Sequence, residues 1–94
     1  MHEIQNLSLS GFVLVESGTD CNHIMTIEDC ERAAVALRLF DTTPEEDSVH
    51  SGGGWDQDPP YCYNWISGST HVLRFNVGTN TGDCYSYDQC LCYA

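Results

Sequence analysis

The stretch Tyr61–Asn76, YCYNWISGSTHVLRFN, is the densest apolar segment of the chain and reads as a β-hairpin. Its centre, Gly68-Ser69, suits a two-residue type II′ turn, which needs positive φ at its first central position. That turn sets the register: Ile66 opposite His71, Trp65 opposite Val72, Asn64 opposite Leu73, Tyr63 opposite Arg74 and Cys62 opposite Phe75. Strand side chains alternate, so Cys62, Asn64, Ile66, Leu73, Phe75 and Val77 share one face. Tyr61, Tyr63, Trp65, Val72 and Arg74 share the other. The first is a core face. The second is covered by the protein's own helix, by a neighbouring subunit or by a sugar.

Upstream, TIEDCERAAVALRLF predicts one main helix over about 26–40. Thr26 is the natural N-cap, with Asp29 three residues on and Glu28 also in the first turn. Ile27, Cys30, Ala34 and Leu37 recur at helical spacing, with Ala33 and Phe40 at the edge of that stripe. Two small alanines at its centre predict close approach to a sheet, and Pro44 forbids continuation. Residues 4–9 and 11–16 read as two strands, the second apolar enough to be central, with Gly11 as a bend between them. Residues 41–60 carry acids, a triple glycine and a proline pair, and read as an irregular surface loop anchored by Trp55. The turn-rich tail, 78–94, ends in a short last strand.

Ninety-four residues make one small domain, 1–94, in which residues 1–10 are an N-terminal arm or edge strand. Six cysteines (Cys21, Cys30, Cys62, Cys84, Cys90, Cys92) read as a disulfide framework in an oxidising compartment, with a pairing the sequence does not choose. The expected fold is therefore α+β: a small disulfide-stapled antiparallel sheet with one main helix. Fourteen carboxylates against three arginines give a net charge of −11, which makes nucleic acid and anionic membranes poor partners. With 41 % hydrophobic residues and dispersed acids, the composition is that of a folding chain. Apolar runs of four and five residues rule out a membrane-spanning helix, and the first fifteen residues lack the pattern of a signal peptide. The disulfide reading makes this a mature chain or an excised module, in which Met1 need not be the native start. Asn6-Leu7-Ser8 has the form of an N-glycosylation acceptor.

The segments MTIEDCERAAVALRLF, YCYNW and VLRFN, followed by a late cysteine cluster, resemble small cysteine-rich modules of algal and protist surface and secreted proteins. The pattern of those modules is a CEAAA helix followed by a GCYY…LYFN hairpin. The likeness covers roughly residues 12–92. Two positions depart from it: Tyr61 and Arg38 stand where the modules usually carry glycine. The resemblance implies an extracellular, bridge-stapled α+β module and no activity.

No cofactor, metal centre or catalytic group is expected. Cys90-x-Cys92 is too tight for a zinc knuckle, and the acids of Asp41, Glu45, Glu46 and Asp47, or of Asp56 and Asp58, match no EF-hand loop. Serines and histidines are scattered, without a nucleophile elbow. The chain reads as a non-catalytic structural module that self-assembles into a filament, matrix or surface coat, its partners being further copies of itself. The alternative is a carbohydrate-binding module, with glycans stacking on Tyr61, Tyr63, Trp65 or Trp55 beside Arg74, and with Asp56, Asp58 or Asn64 as polar contacts. A secreted inhibitor or toxin-like effector rests on size and bridges alone.

Overall fold

A computed structural model describes residues 11–46, 58–77 and 82–94. The predicted strand 4–9, the arm 1–10, Asn6, Asp47, Trp55 and Asp56 lie outside the described residues. Within them the chain forms β1 (Phe12–Val15), β2 (Asn22–His23), α1 (Ile27–Ala36), β3 (Glu45–Glu46), β4 (Tyr61–Ser67), β5 (Thr70–Asn76) and β6 (Asp88–Tyr93).

The hairpin β4–β5 has the expected register, from Cys62 opposite Phe75 to Ser67 opposite Thr70. Gly68 takes φ 60°, as the turn requires. The sheet runs β1-β6-β4-β5-β3, and β2 pairs with β6 beyond the end of β4. The last strand is thus central rather than a trailing edge. Its sequence explains why: Leu91 enters the core with the helix, while Cys90 and Cys92 are buried in a cluster of bridges and valines on the opposite side. A strand buried on both faces belongs in the middle. Conversely, β1, read as central from its apolar run, stands at the end of the described sheet.

At the far end β3 pairs in parallel with β5, Glu45 opposite Arg74, inside a segment read as irregular. No propensity favours two glutamates in a strand. The pairing is set up by Asp41, whose Oδ2 accepts the Leu73 N–H at 2.9 Å and holds the chain along β5.

Thr26 caps α1 as expected, its Oγ1 accepting the Asp29 N–H at 3.2 Å. The helix stops at Ala36, about a turn before the predicted Phe40. Arg38 N–H donates to Val35 O and Leu39 N–H to Ala34 O, the paired bonds of a Schellman motif. That motif needs a left-handed residue after the cap, and Arg38 supplies it at φ 60°. Lacking the usual glycine, this stop was invisible in the sequence.

Ala33 and Ala34 are fully buried against Cys62, Leu73 and Leu91, the close approach their size allows. Fully burying Ile24, Leu73 and Leu91 contributes about 1.5–3 kcal/mol each. Three disulfides close the structure: Cys21–Cys92, Cys30–Cys62 and Cys84–Cys90. Cys30–Cys62 ties the helix to the hairpin. The other two leave β6 from the opposite face, because Cys90 and Cys92 are alternate residues of one strand.

Candidate functional site

The expected aromatic face does not form a common platform. Tyr63 is buried, and Trp65 is half-buried with the Arg74 guanidinium 5.1 Å over its ring, a cation–π cover. Tyr61, at φ 63°, packs instead against the helix-side core, its ring 6.1 Å from Phe75 and 5.9 Å from His23. Asp58 sits before the hairpin, where its carbonyl accepts the Gly82 N–H. An exposed aromatic pair occurs elsewhere: Tyr85 and Tyr87 stack at 5.5 Å in the turn before β6.

The helix-side face of the sheet holds a pocket. Because α1 ends at Ala36, the far half of the hairpin is not roofed by helix. The chain leaving the helix, Arg38 to Phe40, walls a cavity of about 220 Å³ over Asn64 and Ile66 of β4 and His71 of β5. Leu14 and Gln89 complete it from the neighbouring strands. Phe40, 83 % exposed, meets His71 edge to face at 4.6 Å.

Asn64 forms the floor and is 1 % exposed. Its amide orientation follows from a chain of hydrogen bonds. The Glu16 carboxylate only accepts, so Gln89 must present Nε2 to it and Oε1 to Asn64. Asn64 therefore donates through Nδ2, at 3.0 Å. Its Oδ1 is left with no hydrogen-bond partner among the described residues. A buried acceptor without a donor costs about 1–3 kcal/mol. Strand parity shared with Cys62 places Asn64 on this core face, as the hairpin register predicts, and not beside the aromatics for which the sequence also offers it as a polar contact.

Other polar groups are committed to the fold. Burial would raise the Asp41 pKa, but the Leu73 N–H and the N–H and hydroxyl of Thr43 together hold it below the usual value. The Tyr93 hydroxyl donates to Asp29, which raises the tyrosine pKa and links β6 to the first turn of α1. Burial lowers the pKa of His23, whose Nδ1 lies 3.4 Å from the Cys21 sulfur. Among the described residues no three His, Cys, Asp or Glu side chains converge on a metal-sized site, and no helix is long and apolar enough to cross a membrane. Comparison of this chain with protein-family models, with curated proteins and with solved structures finds no match.

Proposed function

We propose that this protein is a non-catalytic extracellular structural module whose copies join through the β1 edge into a filament, matrix or coat. The observation that carries this reading is the contrast between the two ends of the sheet as the described residues form it. One end is β3, two residues long and made of exposed glutamates, a form of edge that resists further pairing. The other is β1, FVLV, without charge or proline. Gly11 O accepts the Ala94 N–H, so by antiparallel alternation Gly11, Val13 and Val15 bond to β6, while the N–H and C=O of Leu14 face away from β6, a side on which no strand pairs with β1 among the described residues. An apolar strand with outward backbone groups accepts another strand. The segment IQNLSL of a neighbouring copy, just ahead of its own β1, alternates only weakly, which suits an arm that pairs with a neighbour.

Three disulfides in 94 residues favour an oxidising, extracellular setting and give a subunit that survives outside the cell. The backbone also supports the resemblance to cysteine-rich surface modules. Arg38 and Tyr61, the two positions where those modules carry glycine, are the described non-glycine residues with positive φ.

Sedimentation velocity over a concentration series, on the full chain and on a chain lacking residues 1–10, tests the reading. Concentration-dependent oligomers that vanish on truncation are expected, with filaments in electron micrographs of native material. Hydrogen exchange adds a local readout, since the Leu14 amide should exchange freely in the monomer and become protected in the assembly. A monodisperse monomer at high concentration, with and without residues 1–10, would sink the idea.

A further inference from the structure

We infer that the pocket beyond the helix end is a binding site for one neutral, hydroxyl-rich ring, a monosaccharide or the terminal sugar of a glycan. The site is separate from the β1 edge, and the inference stands apart from the assembly reading.

Its floor sets the first requirement. Asn64 Oδ1 is buried, fixed as an acceptor through Gln89 and Glu16, and unpartnered among the described residues. A ligand that satisfies it must donate a hydrogen bond, as a hydroxyl does. The wall sets the second. Phe40 is an 83 % exposed ring held by an edge contact to His71, and it offers an apolar face of the kind that covers the C–H side of a sugar. Because the oxygen is buried, a hydroxyl reaches it only if a wall of the pocket shifts, and Phe40 is a lining residue exposed enough to do so.

The rim sets the third. Among the described residues Arg32 pairs with Asp29 and Arg74 lies over Trp65, while no carboxylate engages Arg38. Its guanidinium donates to neighbouring hydroxyls, which in turn donate to the floor. A net charge of −11 disfavours an anionic ligand, so a neutral polyol is the chemistry that fits all three. The volume, about 220 Å³, is below the ~300–1,000 Å³ of pockets for drug-sized ligands and suits a single ring.

Backbone geometry gives an independent reason. Arg38 occupies a left-handed position that glycine would fill without strain. Strain kept at a pocket rim, with the charged side chain exposed beside it, is the pattern of a residue retained for its side chain.

The test is a titration of the full chain with glucose, galactose, mannose and N-acetylglucosamine, followed by NMR shifts of the Asn64 side-chain amide and the Phe40 and His71 rings. At least one sugar should give saturable shifts confined to these groups, with affinity in the millimolar range typical of single sugars. Phe40→Ala, which removes an exposed ring and leaves the core intact, should weaken binding about tenfold. Arg38→Gly should raise Tm yet weaken binding, two opposite effects that a purely structural residue would not produce. Absence of saturable shifts with all four sugars, shifts centred elsewhere, or wild-type affinity in both variants would overturn the inference.

Discussion

Two residues carry the backbone strain of the described fold, and their side chains decide what relieving it does. An L-residue at positive φ costs roughly 1–2 kcal/mol, and glycine gives back part of that through its freer unfolded chain. Arg38 is exposed and loses little packing, so Arg38→Gly should stabilise by about 0.5–1 kcal/mol, a rise in Tm of about 3–6 °C. Tyr61 packs on Phe75 and His23, so Tyr61→Gly forfeits ring burial of similar or larger size and should not stabilise. Thermal melts of the two variants side by side check the difference. Asp41 acts through protonation. Its folded pKa lies below the ordinary 3.8, so its carboxylate favours the fold above that pH. The contribution is lost as pH falls through the lower folded value. Asp41→Asn should therefore melt earlier than the parent at pH 7, and the gap should close as pH falls well below the ordinary 3.8.

At the scale of elements, legibility followed local chemistry. The hairpin register was readable because Gly68-Ser69 fixes the turn and each strand alternates around it. The start of α1 was readable from Thr26 and the acids behind it. Its end was not, since a left-handed arginine leaves no signature, and the pocket exists because of that end. The order of strands was also hidden: burial of β6 on both faces depends on which cysteines pair, and fifteen pairings were open. With pairing known, the bridges rank by the loop each closes. Chain entropy gives about 4 kcal/mol for Cys21–Cys92 and for Cys30–Cys62, whose partners lie 71 and 32 residues apart. For Cys84–Cys90, six residues apart, it gives about 2 kcal/mol. Denaturant midpoints of paired Cys→Ser variants should follow that order. Loss of Cys30–Cys62 should also release the helix first, seen as an early fall in helical circular dichroism.

For the whole molecule, charge and connectivity matter more than any single contact. Copies carrying −11 each repel one another, so the edge pairing proposed through β1 would compete with a long-range penalty that salt screens. Association measured by sedimentation should strengthen from low to physiological ionic strength, and again as pH falls toward the isoelectric point of about 4.2. Association that weakened with salt would mean that ion pairs, not an apolar strand edge, hold the copies together. The bridge Cys21–Cys92 has a mechanical meaning as well. It spans nearly the whole chain, so tension entering before residue 21 and leaving after residue 92 crosses the molecule through one covalent link. The helix and the hairpin hang on a closed loop that such a load does not reach. Of these 94 residues, 1–20 and 93–94 lie outside that loop, roughly 70–80 Å of contour at full stretch. In the assembly proposed above, force would pass from copy to copy through this link while residues 22–91 stay slack; the pocket would feel the load only through Leu14, its wall on β1, which lies outside the loop.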